Sequence, residues 1–313
     1  MYIDLTPEQK TLRQTLRTYF DKLMPPEVKG KVSGMEGGEV YRDLIRKVGG
    51  DGWLGVGWPK EFGGGGMTMT EQMIFLEEQR RSGAPFPFVT VSTVGPALMD
   101  YGTPAQKAEF LPRILAGECH FSIGYSEPNA GTDLASLNTS AVKDGNEWVI
   151  NGTKMFTSGA TDTDYIWLAA RTDPDAPKHK GITMFIVPAD SPGFSAAPIH
   201  TISGSATAMS YYENVRVPEE NIVGGVNGGW KLITTQLNHE RVGLAAFGSA
   251  AYARTERVIE WARDTETPGG GKIIDLPWVQ ANLAEVYASI EAMKLLNWRM
   301  AAQLESGFVN PAD

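Results

Sequence analysis

The spacing of apolar residues changes twice along the 313-residue chain, and these changes constrain the fold more than any other feature. Apolar residues recur every three or four positions through the first 120 residues, form short alternating runs between residues 121 and 225, and return to helical spacing from Gly229. This order predicts an α+β protein. We expect an N-terminal α-helical domain over residues 1–121, a middle antiparallel β-barrel or sandwich domain over 122–228, and a C-terminal helical bundle over 229–313.

Capping signals mark the helices of the N-terminal part. Thr6-Pro7-Glu8-Gln9 and Thr103-Pro104-Ala105-Gln106 each combine a threonine cap with proline at the first helical position and glutamine three residues after the cap. A further helix is predicted from Thr70 to Arg81, and the glycine-rich residues 49–66 predict a loop.

Turn and strand signals dominate the middle part. Asn151-Gly152 lies between two short apolar runs and predicts a hairpin that joins Trp148–Ile150 to Lys154–Phe156. Further strands are predicted over Tyr165–Ala170, Ile182–Val187 and Tyr211–Val217. Because no helical pattern separates these runs, we expect a barrel or sandwich and not a dinucleotide-binding βαβ sheet. In the C-terminal part, residues 268–271 (PGGG) break the helical pattern, and a second helix is predicted from Trp278 to Leu304.

The composition excludes several classes of protein. A net charge of −9 argues against a nucleic-acid-binding protein, since phosphate contacts need a clustered basic face. The single cysteine, Cys119, excludes a disulfide framework and indicates a small buried apolar residue, and the four histidines lack the spacing of a metal site. The sequence has no signal-peptide pattern and no apolar run of membrane-spanning length, so we expect a cytoplasmic protein.

Two segments are candidates for the functional site. Tyr125–Asp133 (YSEPNAGTD) has the composition of an ordinary turn, but it would also bring backbone N–H groups, Gly131 and two hydroxyls against a polar planar ligand. Glu240 lies within a helical pattern of apolar and small neighbours. A Glu-Arg pair on a helix is usually solvated, whereas burial would raise the pKa of Glu240 toward the ~6–7 that suits a general base.

Together with the helix, strand, helix order, three segments resemble motifs of the acyl-CoA dehydrogenase family. Residues 125–133 resemble its flavin-binding loop, and residues 151–158 (NGTKMFTS) resemble its N-G-x-K-x-[WF]-[IT]-[ST] hairpin. Residues 52–54 (GWL) with 58–64 (WPKEFGG) resemble its N-terminal loop. The three occur in the family's order and separation. The resemblance extends from the first helix to the end of the chain.

The resemblance implies FAD as the cofactor and an acyl-CoA thioester as the substrate. The cofactor-binding residues that it implies are Ile123, Tyr125, Ser126, Gly131, Thr132, Phe156, Thr157 and Ser158. Ser126 would bond toward the pyrimidine side of the isoalloxazine, and Phe156–Ser158 would lie against the ring and its N5 edge. Thr132, Asn238 and Arg241 would contact the substrate.

Glu240 is the catalytic base that the resemblance implies. Family members carry their catalytic glutamate at one of two positions, and Glu240, directly before Arg241, matches the position used by isovaleryl- and long-chain-type enzymes. The implied reaction is α,β-dehydrogenation, in which Glu240 removes the α-proton and the β-hydride passes to the flavin. The Glu240 backbone N–H would stabilise the enolate oxygen. Electron-transfer flavoprotein is the implied acceptor.

The sequence departs from the family pattern in two places. Residues 264–272 (DTETPGGGK) lack the Arg-x-x-Phe-Gly segment with which many members reach the flavin pyrophosphate of a neighbouring subunit, and the chain ends short of the usual C-terminal bundle, as if truncated. A base without that arginine resembles the heteromeric actinobacterial enzymes of steroid side-chain degradation. This implies a second, unlike acyl-CoA dehydrogenase subunit in an α2β2 heterotetramer that acts on a bulky or steroid side-chain acyl-CoA. The alternatives are a non-catalytic, flavin-deficient partner or scaffold subunit and a flavin oxidase on the same fold.

Overall fold

The structure, a computed structural model, describes residues 4–32, 34–35, 37–202, 206–236 and 248–306. The described helices are α1 Pro7–Leu23, α2 Pro26–Val32, α3 Glu39–Gly50, α4 Met69–Ser82, α5 Gly95–Tyr101, α6 Pro104–Leu115, α7 (described over residues 229–236), α8 Ser249–Asp264 and α9 Pro277–Glu305. The strands are β1 Phe121–Gly124, β2 Ser140–Asp144, β3 Glu147–Lys154, β4 Tyr165–Arg171, β5 Ile182–Pro188, β6 Phe194–His200, β7 Ala206–Pro218 and β8 Ile222–Val223. The predicted order of helices, strands and helices is confirmed.

The middle strands form one mixed sheet. Along the described sheet the order is β6-β7-β3-β2-β4-β5-β8, and β1 pairs with β4. The β1–β4 pair is parallel, with Phe121 opposite Tyr165, and β2 meets β4 in parallel at Ser140 and Arg171, whereas the remaining pairs are antiparallel. The sheet is therefore largely antiparallel, as expected, with two parallel pairings that the sequence pattern did not indicate.

The predicted hairpin at Asn151-Gly152 is wrong. Strand β3 runs through both residues, and the tight turn lies between β2 and β3, where Asp144 pairs with Glu147 across Gly145-Asn146. Gly152 instead marks a bulge opposite β7, because the register shifts between Ile150 and Gly152. A Cβ on Gly152 would lie 2.7 Å from the Cα of Thr139, so the close approach requires glycine.

The interior strands carry the core of the sheet. In β4 and β5 almost every residue is buried, which agrees with their continuous apolar sequence. The core cluster also includes residues of β2, β3 and β7, and the rings of Trp148 and Phe185 meet at 5.8 Å. The sheet thus gives a rigid base to the loops that begin at its strand ends.

The predicted helix caps are confirmed at Thr6 and Thr103, where both hydrogen bonds of the capping box are present. Helix α4 begins earlier than expected, because Thr68 and Glu71 form a third capping box. The break after the α8 region is also confirmed, since α8 ends at Asp264 and α9 begins at Pro277. None of the described helices combines the length and the apolar character that crossing a membrane requires.

Two compact units make up the chain. The first contains residues 1–26, 67–84 and 241–313, and the second contains residues 27–66 and 85–240. Within the first unit, α1 packs on α4 through the rings of Phe20 and Phe75, 5.6 Å apart, and the buried Glu78 accepts two hydrogen bonds from Arg17. The domain boundaries predicted at residues 121 and 228 remain a prediction.

Candidate active site

The two predicted flavin-binding segments lie side by side within the second unit. The first leaves the end of β1 at Gly124, and the second leaves the end of β3 at Lys154. The Met155 backbone N–H donates to the Ser126 carbonyl oxygen at 2.8 Å, and the Lys154 Nζ donates to the Tyr125 carbonyl oxygen at 3.0 Å. Tyr125 and Ser126 are therefore brought next to Phe156–Ser158, although about 30 residues separate the segments in the sequence.

The first segment folds back on itself in a tight turn. The Glu127 N–H donates to the Ala130 carbonyl oxygen at 2.8 Å, and the Ala130 N–H donates to the Glu127 carbonyl oxygen at 3.1 Å. Gly131 and Thr132 follow on the exposed side of this turn. A Cβ on Gly131 would meet no protein atom within 4 Å, so the space beside it is open to a ligand.

The hydroxyl groups of the two segments fall into two classes. Those of Ser126 and Thr132 bond to no protein group in the described part of the chain. Those of Thr157 and Ser158 are engaged, with Ser210 at 3.1 Å and with Thr207 at 3.0 Å. The Thr157 N–H is also committed to the Ala208 carbonyl oxygen. The free hydroxyls are thus on the first segment, and the second segment is anchored to β7.

Phe156 has an unfavourable backbone conformation and an exposed ring. Its φ of 61° lies in the left-handed region, and the residue is 63% exposed. The Ser158 N–H donates to the Phe156 carbonyl oxygen at 3.0 Å and closes a tight turn around this backbone. A bulky residue with positive φ is uncommon, and such strain is concentrated at functional sites.

A buried ion pair that the sequence analysis did not single out joins the segments. The Lys154 Nζ lies 2.8 Å from Glu127 Oε1, and the two side chains are 0% and 7% exposed. Burial lowers the pKa of Lys154 to about 8 against the opposing attraction of Glu127. Burial by itself would raise the pKa of Glu127, but Lys154 and two backbone N–H groups hold that pKa below its ordinary value. The only signal in the sequence was a lysine inside a strand pattern.

Tyr125 directs its side chain to a second buried cluster. Its hydroxyl donates to Gln236 Oε1 at 2.8 Å, and the Trp167 indole N–H donates to the same oxygen at 2.9 Å. Ile123 lies opposite Trp167 in the parallel β1–β4 pair and is half-buried. Gln236 is 1% exposed, and its Nε2 has no hydrogen-bond partner among the described residues. Periodicity alone gave no reason to select Gln236, since it is a polar residue in a helical pattern.

Three predicted site residues, Asn238, Glu240 and Arg241, lie outside the described residues. Their roles and the expected burial of Glu240 remain predictions. Cys119 is described and is buried, as expected, and burial raises the pKa of its thiol to about 12, so the thiol stays protonated and unreactive.

The described side chains fit a planar, polar and partly aromatic ligand such as a flavin. The second segment carries the exposed ring of Phe156, and the first carries Gly131 with open space beside it and two hydroxyls that bond to no described protein group. The two segments follow strands β1 and β3 of the sheet and are joined by backbone hydrogen bonds.

The chain thus combines an N-terminal helical region, a middle sheet that carries these motifs, and a C-terminal helical region. Family models for the N-terminal, middle and C-terminal domains of acyl-CoA dehydrogenase match residues 6–118, 122–215 and 227–313. The chain belongs to the acyl-CoA dehydrogenase family, which is a family of enzymes.

Relatives and solved structures within that family are similar to this chain over almost its whole length. "Acyl-CoA dehydrogenase FadE26" of Mycobacterium tuberculosis is 51% identical over 96% of this chain and 77% of its own length. The solved "Tcur3481-Tcur3483 steroid ACAD" is 53% identical with a TM-score of 0.94, over 99% of this chain and 79% of that chain. The ChsE4-ChsE5 complex from M. tuberculosis is 51% identical with a TM-score of 0.91, over 97% of this chain and 78% of that chain. A glutaryl-CoA dehydrogenase from Mycobacterium smegmatis, solved in complex with FADH2, is 26% identical with a TM-score of 0.84, over 98% of this chain and 78% of that chain.

Proposed function

We propose that this chain is a subunit of a heteromeric, FAD-dependent enzyme that introduces an α,β double bond into a bulky or steroid side-chain acyl-CoA. The observation that carries the proposal is the backbone contact between the segments 125–133 and 155–158, at Met155 and Ser126. One segment carries the free hydroxyls of Ser126 and Thr132, and the other carries the exposed ring of Phe156. An aromatic face and adjustable donors suit the isoalloxazine ring and its polar edge.

The described residues of the site have different roles in binding the cofactor. Ser126 and Thr132 donate hydrogen bonds to polar groups of the flavin, Gly131 lets it approach the backbone, and Phe156 packs on its ring. Ile123, Tyr125, Thr157 and Ser158 complete the binding site, with Thr157 and Ser158 anchored to β7 through their hydroxyls. FAD supplies the acceptor for the substrate β-hydride.

Glu240 removes the α-proton, and Thr132, Asn238 and Arg241 bind the acyl-CoA. Glu240 is four residues beyond Gln236, whose side chain is bonded to Tyr125 at the start of the flavin-binding loop. The family membership and the Glu-Arg sequence support this assignment. General acid–base catalysis by one positioned side chain typically contributes a factor of about 10²–10⁴.

An unlike acyl-CoA dehydrogenase subunit, in an α2β2 heterotetramer, completes the site. The proposal is supported by the names of the two solved relatives, which are complexes of two differently named chains, and by the word "steroid" in one of them. Electron-transfer flavoprotein is the proposed acceptor, and the cytoplasm is the proposed location.

The experiment that tests the proposal compares two isosteric variants of the complex made with its partner chain. Glu240→Gln removes the base, and we expect kcat for a steroid acyl-CoA to fall by about 10²–10⁴-fold with FAD content unchanged. Glu260→Gln on the exposed face of α8 makes the same charge change as a control and leaves kcat unchanged. Normal turnover by Glu240→Gln would exclude Glu240 as the base.

The measurement also separates the alternatives. A complex that contains FAD only in its other subunit and keeps its activity when Glu240 is replaced identifies this chain as a non-catalytic scaffold. Rapid reoxidation of the reduced flavin by oxygen identifies an oxidase.

A further inference from the structure

The ion pair between Lys154 and Glu127 is the most deeply buried charge pair in the described part of the second unit. The Lys154 ammonium is fully enclosed at the end of β3, one residue before the segment that leads to Phe156. It donates to the Tyr125 carbonyl oxygen at 3.0 Å and to Glu127 Oε1 at 2.8 Å. One side chain thus bonds to two successive points of the first flavin-binding segment.

Glu127 is held just as firmly on its other side. Its Oε2 accepts from the Asn138 backbone N–H at 2.7 Å, and its Oε1 accepts from the Thr139 backbone N–H at 2.8 Å. The carboxylate therefore connects the first residue of the segment 127–139 to its last two residues. Three backbone stretches, at 125–127, 138–139 and 154, meet at these two charges.

This arrangement is costly if stability alone is considered. Taking two charges out of water is unfavourable, and replacing a buried ion pair by well-packed apolar residues is often neutral or stabilising for the fold. What a hydrogen-bonded ion pair provides is a defined distance and direction between the parts that it joins. The parts joined here are the two that carry the proposed flavin contacts.

We propose that Lys154 and Glu127 are a positioning pair that sets the separation and tilt of the loop with Ser126 and Thr132 relative to the turn with Phe156, and thereby sets the affinity for FAD. Because the two side chains are only 0% and 7% exposed, we expect neither to touch the ligand. The inference rests on the proposed function, since it concerns the same flavin site.

The test uses the complex with its partner chain and three variants of this chain. Lys154→Met leaves a buried carboxylate, Glu127→Gln leaves a buried ammonium, and the double variant Lys154→Met, Glu127→Gln leaves neither. Gln106→Ala serves as a control, because the buried Gln106 side chain in α6 donates to the carbonyl oxygens of Glu220 and of Ile222 at the start of β8, and neither acceptor belongs to the segments 125–133 and 155–158. FAD affinity is measured by fluorescence quenching of FAD added to the apo-complex, and stability by thermal unfolding of the apo-complex.

We expect affinity and stability to separate. Each single variant lowers both, whereas the double variant recovers most of the lost thermal stability and still binds FAD about tenfold or more weakly. The visible band of its bound flavin also loses its fine structure, because the ring is held less rigidly. Gln106→Ala lowers the unfolding temperature and leaves the FAD affinity unchanged.

Two results would overturn the inference. One is a double variant that binds FAD as tightly as the unmodified complex. The other is a Gln106→Ala variant whose FAD affinity falls together with its thermal stability. An unmodified complex in which this chain binds no FAD overturns the proposed function itself, and the inference with it. The two failures are distinguished by the unmodified complex alone.

Discussion

At the scale of single residues, the candidate site contains two unfavourable features that the surrounding structure maintains. The left-handed backbone of Phe156 costs roughly 1–2 kcal/mol relative to an ordinary conformation, and the buried ammonium of Lys154 has lost its hydration. Strain of this kind persists only where the neighbouring structure holds it, and it is concentrated where ligands bind. Both residues can therefore be tested by variants that separate stability from binding.

Phe156→Gly and Phe156→Ala form one such comparison. Glycine adopts the left-handed backbone freely, so we expect the free energy of unfolding to rise by up to about 1 kcal/mol, whereas alanine keeps the strain and gives no gain. Little burial is lost in either case, since the ring is 63% exposed. Both variants should bind FAD more weakly. Denaturant unfolding and FAD titration check the two parts, and equal stabilities for the two variants would contradict the backbone argument.

Lys154 should give a measurable pH dependence of stability. Because its pKa in the folded protein is about 8, below the ordinary value of 10.5, the unfolded chain binds more protons than the folded chain between these two values. The contribution of Lys154 to stability therefore rises with pH from about 8 to about 10.5. The difference in the free energy of unfolding between the unmodified chain and Lys154→Met isolates this contribution from the other titrating groups. A difference that is flat across this window would show that the pKa is not lowered.

At the scale of elements, similar local signals have different tertiary consequences. The capping boxes of α1 and α6 have the same sequence pattern and the same two local hydrogen bonds. Gln9, in α1, has no further partner among the described residues, whereas the Gln106 Nε2 also donates to the carbonyl oxygens of Glu220 and Ile222 at 2.7 and 2.9 Å. The second box therefore fixes α6 to the segment that enters β8.

Alanine at these two positions measures the difference. We expect Gln9→Ala to lower the free energy of unfolding by about 0.5–1 kcal/mol, the usual worth of a hydrogen bond at a helix end. Gln106→Ala removes the same local bond and leaves two carbonyl groups without their donor, so we expect an additional loss of about 1–3 kcal/mol. Urea unfolding of the two variants checks this. Equal losses would mean that the bonds to residues 220 and 222 contribute nothing.

At the scale of the whole molecule, all described residues of the proposed flavin site belong to one of the two compact units. The segment 264–272, where many family members carry an arginine for the flavin pyrophosphate, belongs to the other unit. Its one cation, Lys272, is engaged locally, since it donates to the Asp264 carbonyl oxygen at 3.0 Å and pairs with Glu266 at 3.3 Å. Because this segment serves the flavin of a neighbouring subunit, a second copy of this chain would not supply that charge, and we expect it to come from an unlike chain.

Flavin retention should depend on that second chain. A hydrogen bond to a charged group contributes about 1.5–3 kcal/mol, so its absence weakens FAD binding by roughly 10–150-fold. We expect the chain alone to lose FAD during size-exclusion chromatography and the chain co-expressed with its unlike partner to keep it. The ratio of flavin absorbance to protein in the eluted peak is the measurement. Stoichiometric FAD in the chain alone would remove the need for a partner at this site.

Much of the fold was predictable from the sequence because its signals are local. Threonine caps, helical spacing and the continuous apolar runs of β4 and β5 each act over a few residues, and the structure has helices and strands at those places. The two segments proposed to bind the flavin were recognisable in the sequence because each is a short motif that resembles a family motif, and their role stays a prediction. The position of the hairpin turn could not be predicted from the sequence, because two Asx-Gly pairs, Asp144-Gly145 and Asn151-Gly152, carry the same local signal.

Tertiary structure decided between those two turns. Gly152 lies against Thr139, and Asn151 accepts from the Asn214 N–H at 2.8 Å, so the chain continues through the second pair as a bulged strand and reverses at the first. It also decided that Lys154 meets Glu127 and that Gln236 meets Tyr125 and Trp167. The sequence by itself determined which elements form and which short motifs they carry. Only the packed structure determined which charges and amides are enclosed together, because burial depends on partners that are distant along the chain.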